Sequence, residues 1–287
     1  MKIRDVIKGR DKSISFEFFP PKTEQGEKSL FETIEKLSVF NPVYASVTYG
    51  AGGSTRDKTM SIVDRINENT AINVMAHLTC IGSSREEITG ILEYYSGIGI
   101  ENILALRGDP PMGVTEMPQI EEGFDYARDL IEFLKNSYNF SIGAATYPEG
   151  HRESPSLDED MRYTKAKVES GADFLITQMF FDNRFFDNFL ERTEKLGINV
   201  PIIPGIMPIT NLKRVRQLSL MCNASIPSDL NELIYRYENL PEDSRKAGID
   251  YTTQQCRDLL ENGVKYFHFY TLNQWEPSTE IINGISL

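Results

Sequence analysis

The sequence predicts an α/β fold, a (β/α)8 barrel, on three observations. First, apolar runs of strand length alternate with helix-length amphipathic stretches over 287 residues, near the roughly 250 such a barrel takes. Second, four joints repeat the order helix end, glycine, strand, at Gly97, Gly171, Gly197 and Gly263. Glycine takes the left-handed position after a helix, and repeated joints of this kind build parallel βα units. Third, polar side chains gather where the runs end, the face on which barrels carry their chemistry.

Residues 14–19 form the first strand. Ile14, Phe16 and Phe18 alternate with Ser15, Glu17 and Phe19, so Glu17 points away from the apolar set. Pro20 and Pro21 end the strand, because proline offers no N–H to a ladder. This places a carboxylate at a strand tip among three phenylalanines, where burial favours the neutral acid that can donate a proton. The competing reading is a Glu on the wet face of an edge strand.

The periodicity predicts a helix over 24–39, with Leu30, Ile34 and Leu37 on one face, ended by Asn41-Pro42. Strand 43–48 runs into the glycine loop Gly50 to Thr55 and a helix over 56–69. Strand 72–79 follows, then a helix with Ser84 as N-cap and Glu87 completing a capping box. Strands at 102–107, 140–146, 173–178, 201–206 and 265–271 bring the number to eight, with a further helix from about Asp158 to Ser170. The stretch between the last two strands exceeds one helix, so extra helices are placed at about 227–239 and 242–261. No linker or low-complexity segment divides the chain, and residues 1–287 read as a single domain.

Composition narrows the function. A formal net charge of −12 disfavours nucleic acid and anionic membranes as partners. No apolar run has transmembrane length, and the N-terminus lacks the apolar core of a signal peptide. Three distant cysteines without a CxxC pattern fit reduced thiols in a cytoplasm. With only three histidines, a histidine-rich metal centre is not expected, and no metal site is assigned.

The strand ends present Glu17, Thr48, His77, Arg107-Gly108-Asp109, Tyr147, Gln178, Met207 and Thr271. Arg107 suits bidentate phosphate binding, and the alternative is an Arg–Asp pair tying one loop. Gly50-Ala-Gly-Gly-Ser-Thr55 lacks the third glycine of a dinucleotide fingerprint, so a Rossmann site is rejected. His77 and His151 are ligand candidates, or hydrogen-bonded structural histidines. Lys165 and Lys167 stand beside Arg162 on a helix and read as a solvated basic face.

Eight segments in register resemble the methylenetetrahydrofolate reductase family: SFEFFPPKT, SVTYGAGGSTRDKT, MAHLTCIG, LALRGDPP, AATYPEGH, ADFLITQMFFDN, PIIPGIMPITN and FHFYTLN. They run from Ser15 to Asn273, and the chain is similar to the short bacterial form, ending after the barrel without a C-terminal regulatory domain. The resemblance implies FAD at the rim, held by Thr48, His77, Arg107, Gly108, Asp109, Tyr126, Ala127, Tyr147, His151, Asp160 and Lys167. In that setting Arg107 and Lys167 become candidates to neutralise the pyrophosphate. Glu17 would be the general acid, Asp109 would stand near the flavin and the pterin, and Gln178 and Leu272 would meet the substrate.

The implied reaction is ping-pong. NADH or NADPH reduces the flavin and leaves, and 5,10-methylenetetrahydrofolate then becomes 5-methyltetrahydrofolate, feeding methionine synthesis and one-carbon metabolism. Homo-oligomers are also implied. Two positions depart from the better-known bacterial pattern. Tyr163 stands where an Asn touches the cofactor, and Gln274 stands where an Arg touches substrate. Three other readings remain open: an aldolase with a Schiff-base lysine, for which Lys265 is at the wrong strand end, a flavin- or folate-binding protein without turnover, and pterin-dependent methyl transfer without flavin.

Overall fold

Chain order gives a short helix, α1 (Ile3–Lys8), and then βα units: β1 (Ser13–Phe18), α2 (Glu24–Ser38), β2 (Ala45–Val47), α3 (Arg56–Asn69), β3 (Val74–Thr79), α4 (Arg85–Gly97), β4 (Asn102–Leu106) and α5 (Ala127–Ser137). The second half continues with β5 (Ser141–Thr146), α6 (Leu157–Glu169), β6 (Phe174–Thr177), α7 (Asn183–Lys195), β7 (Ile202–Ile203), β8 (Gly205–Ile206), α8 (Leu212–Cys222), α9 (Ser228–Tyr237), α10 (Pro241–Glu261), β9 (Tyr266–Tyr270) and α11 (Trp275–Ile285). This computed structural model describes residues 1–49, 56–109, 120 and 122–285. The glycine loop at 50–55 and the prolines Pro110 and Pro111 lie outside the described residues.

Among the described residues the strands of the sheet all pair in parallel, in the order β7-β6-β5-β4-β3-β2-β1-β9-β8. The two end strands of this ladder are separated in the chain only by Pro204. The seventh strand expected at 201–206 is therefore two strands, and the sheet has nine among the described residues. Proline has no N–H to give, so pairing breaks there, while its carbonyl accepts from His268 N–H at 3.0 Å. Side chains stitch the seam: Gly205 N–H donates to Thr177 Oγ1 at 2.9 Å, and Tyr270 Oη donates to the Thr177 carbonyl at 2.6 Å.

Alternation sorts the strands into two faces. Phe16, Phe18, Val47, Ala76, Leu78, Ile103, Ala105, Phe267 and Phe269 face outward and pack with the helices as the main core. Met75, Leu104, Phe174, Ile176 and Ile203 form a separate interior cluster with Ile3 and Ile7 of α1, which plugs the N-terminal end of the barrel. This helix was not foreseen: six residues with two buried isoleucines give too little periodicity to read. The Ser84–Glu87 capping box is present, with both reciprocal bonds made.

The extra helices α9 and α10 fall within a few residues of expectation. Leu230 and Ile234 of α9 join Met179, Phe181, Ile209, Leu212 and Val215 in a third cluster, and α10 packs against α7, α8, α9 and α11. No helix among the described residues is long and apolar enough to cross a membrane.

Candidate active site

Glu17 points into the barrel, on the face opposite Phe16 and Phe18. The alternation rule held, but the surroundings differ from expectation. Of the three phenylalanines only Phe19 shares the cavity with the Glu17 carboxylate, since Phe16 and Phe18 belong to the outer core. Its polar neighbours are two imidazoles. His77 Nε2 of β3 and His268 Nε2 of β9 each lie 3.5 Å from the same atom, Glu17 Oε2.

Both rings are buried, and neither Nε2 has a hydrogen-bond partner among the described residues. Burial pushes the His77 pKa down to about 4, outweighing the pull of Glu17. His268 is held on three sides: Ser15 Oγ is 2.8 Å from its Nδ1, Tyr44 stacks on the ring at 5.5 Å, and Tyr270 meets it edge-on at 5.4 Å. Strand pairing produces this cluster, because the register sets Ser15 beside His268 and Glu17 beside Tyr270.

The loop after β9 clamps the end of β1. Thr271 Oγ1 donates to the Glu17 carbonyl at 2.6 Å. Asn273 pairs with the Phe19 backbone in both directions, at 3.1 and 2.9 Å. Leu272 and Asn273 both take positive φ, 49° and 57°, which costs non-glycine residues conformational energy. The Asn273–Phe19 pair holds that strained turn and puts Leu272 over the cavity.

A cavity of about 310 Å³ opens above this floor. Of the residues expected at the site, Glu17, Thr48, His77, Tyr147, Gln178 and Leu272 line it. Leu104, Leu106, Ile176, Met179 and Met207 supply apolar walls. Gln178 Oε1 accepts from Met179 N–H at 2.9 Å, and among the described residues its amide NH2 has no acceptor.

A second polar group adjoins the cavity through Tyr147. His151 packs edge-on against Tyr147 at 4.7 Å, and Lys167 Nζ stands 5.8 Å from the same ring while donating to the Ala145 carbonyl at 2.5 Å. Burial lowers the Lys167 pKa to about 8, partly offset by Asp160. Lys167 is thus directed inward, unlike the solvated basic face of the bland reading. His151 Nδ1 accepts from Glu153 N–H, and burial lowers this ring's pKa as well.

Arg107 binds Glu153 at 2.7 Å, pairs with Asp109 at 4.0 Å and donates from Nε to the Gly108 carbonyl at 3.2 Å, so it ties the β4 loop both to the β5 loop and to itself. The Asp109 side chain is largely exposed. Gly108 has φ +88°, and a Cβ there would sit 2.8 Å from Thr79 Cβ, so its close approach is to the end of β3. Tyr126 and Ala127 begin α5, where Tyr126 N–H donates to Asp129, and they do not line the cavity.

Asp160 is 3% exposed, with Oδ1 bonded to Ser154 at 2.7 Å and Oδ2 buried without a partner among the described residues. A buried orphan acceptor is costly and suits an incoming hydroxyl donor. Together, one inward lysine, one arginine and one waiting carboxylate fit a ligand that carries both phosphate and hydroxyl groups.

The family model described as methylenetetrahydrofolate reductase matches residues 2–286. The chain belongs to the methylenetetrahydrofolate reductase family. It is 40% identical to 5,10-methylenetetrahydrofolate reductase of Salmonella typhimurium, over 96% of this chain and 91% of that protein. It is 38% identical to methylenetetrahydrofolate reductase (NADH) 1 of Arabidopsis thaliana, over 100% of this chain and 50% of that protein. The chain therefore spans about half the length of the plant relatives it matches. Among solved structures, an uncharacterized Clostridium thermocellum protein that binds two copies of 5-methyl-5,6,7,8-tetrahydrofolic acid superimposes with a TM-score of 0.65 at 16% identity, covering 99% of this chain and 97% of that one. That likeness concerns the fold.

Sequence reasoning missed His268, Ser15, Asn273 and Cys222, which also lines the cavity. For His268 a signal existed: it is two residues before Tyr270 on an inward-facing register. Cys222 carried none, because its helix α8 reaches the rim only through tertiary packing.

Proposed function

We propose that the chain reduces 5,10-methylenetetrahydrofolate to 5-methyltetrahydrofolate with a reduced nicotinamide as donor and FAD as carrier, residues 1–287 acting as one catalytic unit. The observation that carries this reading is a carboxyl group, Glu17, set between two buried imidazoles at the floor of an apolar-walled cavity, in a chain of this family. Bound FAD would supply the two-electron exchange between the two substrates.

The chain's own residues divide the remaining work. Lys167 and Arg107 would neutralise the pyrophosphate, and Asp160 Oδ2 would accept a hydroxyl of the cofactor. Thr48, His77, Gly108, Tyr126, Ala127, Tyr147 and His151 complete the cofactor set. Glu17 gives its proton to N10 of the folate, which opens the five-membered ring to an iminium at N5. The Gln178 amide would donate to the substrate, Leu272 would cover it, and Asp109 would stand near the bound flavin and the pterin. The apolar walls exclude water, which preserves the iminium for reduction. NADH and NADPH both fit this scheme, and the active form is a homo-oligomer.

The test is the visible spectrum of purified, FAD-loaded protein under anaerobic conditions. NADH or NADPH should bleach it, and methylenetetrahydrofolate should restore the colour. Bleaching without recovery rejects the folate. A colourless protein that FAD cannot reconstitute rejects the flavin chemistry altogether.

A further inference from the structure

The β5 loop carries Tyr147, which lines the cavity, and His151, which packs edge-on against it. The middle of this loop is held by a helix from elsewhere on the rim. Asn223, the left-handed residue that ends α8, donates from Nδ2 to the Gly150 carbonyl at 3.0 Å and to the Glu149 carbonyl at 3.4 Å. Glu149 answers in the opposite direction: its two carboxylate oxygens accept the Ser225 N–H at 3.0 and 2.9 Å. Each segment gives one side chain to the other's backbone. We propose that Asn223 and Glu149 are positioning residues, a reciprocal clasp that holds the β5 loop in the shape that receives the flavin cofactor. The inference rests on the reading of Tyr147 and His151 as cofactor contacts, and extends it to two residues that do not line the cavity.

The sequence builds each half of the clasp. Tyr147-Pro148-Glu149-Gly150 is a four-residue turn, closed by Gly150 N–H donating to the Tyr147 carbonyl at 3.0 Å, with proline at the position its fixed φ favours. Gly150 is buried, so its carbonyl has to find a donor within the protein, and Asn223 supplies it. The other half is the exit from α8. Asn223 has φ 53° and ψ 40°, a conformation that asparagine tolerates better than most side chains. The N–H groups of Asn223 and Ala224 return to the Ser219 carbonyl, and Ser225 N–H, the next in line, goes to Glu149.

The clasp acts on the rim and not on the sheet. Around the barrel β6 and β7 stand between β5 and β8, the strand that leads into α8, so the clasp spans the rim above them. The pairing of β5 with β4 and β6 uses none of its bonds. What it adds is order in the turn that starts at Tyr147. A loop that samples other shapes lowers apparent affinity by the fraction of time it spends out of shape. The Asn273–Phe19 pair is a parallel case, in which another positive-φ asparagine bonds the backbone of a different rim segment. Cys222, next to Asn223, lines the cavity, so the clasp also fixes the distance between Tyr147 and the α8 wall.

Fluorescence titration of FAD into the full chain tests this. Asn223→Gly removes the carboxamide and suits the left-handed conformation, so folding is not put at risk. It should bind FAD roughly tenfold more weakly, the upper end of what one hydrogen bond contributes. Glu149→Ala should lose a similar amount, whereas Glu149→Gln keeps an acceptor for Ser225 and should bind like the wild type. Because the two residues form one clasp, the double variant Asn223→Gly/Glu149→Ala should lose little beyond either single one. Asn41→Gly makes the same exchange at a left-handed asparagine ahead of β2, at the opposite end of the barrel, and should leave FAD binding unchanged.

Hydrogen exchange without FAD reads the loop itself. Peptides over residues 147–154 should exchange faster in Asn223→Gly and Glu149→Ala than in the wild type, and those over β1 to β4 should not. Wild-type FAD affinity in both variants overturns the proposal, and so does a loss confined to melting temperature, which is all that a purely structural contact would give. A wild type that binds no FAD rejects the proposed function. In that case faster exchange at 147–154 in the two variants still supports the clasp, and wild-type rates there overturn it.

Discussion

His77 Nε2 stands 3.5 Å from Glu17 Oε2, although β2 separates the strands that carry them. Only the curvature of the barrel brings them together, since neighbours across an intervening flat strand would be about 10 Å apart. The same curvature buries His77, and this gives the first prediction. In the unfolded chain its pKa is near 6.5, and in the folded chain it is about 4. The unfolded state therefore binds more protons across that window. Stability is unpenalised above pH 6.5, declines as pH falls, and levels off below about 4, with a total loss on the order of 3 kcal/mol from this group. Urea midpoints measured from pH 7 to pH 4 should fall less steeply in His77→Gln than in the wild type.

Glu17→Gln keeps the shape of the cavity floor and removes the proton. Bleaching by reduced nicotinamide should survive, while reduction of the folate slows by roughly 10²–10⁴-fold, the range for loss of a general acid. Stopped-flow absorbance separates the two steps. Equal loss in both would make Glu17 a structural residue.

Lys167 predicts a pH dependence of cofactor binding. Its ammonium is charged below about pH 8 and neutral above it, so affinity for FAD should fall as pH rises through that value. Lys167→Met should weaken binding roughly 10- to 100-fold at pH 7, equivalent to one charge-assisted hydrogen bond, and should flatten the pH profile. Fluorescence titration of apoprotein at pH 7, 8 and 9 measures both effects.

Asp109 sits beside Arg107 with an exposed carboxylate. A negative charge near the flavin disfavours the extra charge of its reduced form, so Asp109→Asn should raise the midpoint potential of the bound cofactor. An unchanged potential in a spectroelectrochemical titration would place Asp109 too far away to act on it.

The barrel seam gives a contrast between two glycines. A Cβ on Gly205 would lie 2.3 Å from the Thr177 carbonyl oxygen and 2.5 Å from Tyr270 Oη, whereas one on Gly90, inside α4, meets nothing within 4 Å. Gly205→Ala should destabilise the chain by about 1–3 kcal/mol through overpacking. Gly90→Ala should stabilise it by about 0.5–1 kcal/mol through helix propensity. Denaturant midpoints of the two variants should move in opposite directions.

The barrel was legible in the sequence because it rests on local signals. Glycine after a helix, alternation along a strand and a Ser-x-x-Glu cap each act within a few residues, so most strand positions followed directly, while α1 and the division of the seventh strand did not. Alternation also set Glu17 on the face opposite Phe16 and Phe18, and the motif segments gave the family. What stood next to Glu17 was not legible. His77 and His268 are 60 and 251 positions away in the chain, and strand register and sheet closure bring all three to one atom. The break at Pro204, the plug of Ile3 and Ile7, and the inward reach of Lys167 were likewise decided by closure of the sheet. Such contacts depend on which distant residues share a layer of the barrel interior, a property of the closed ring that no local stretch carries.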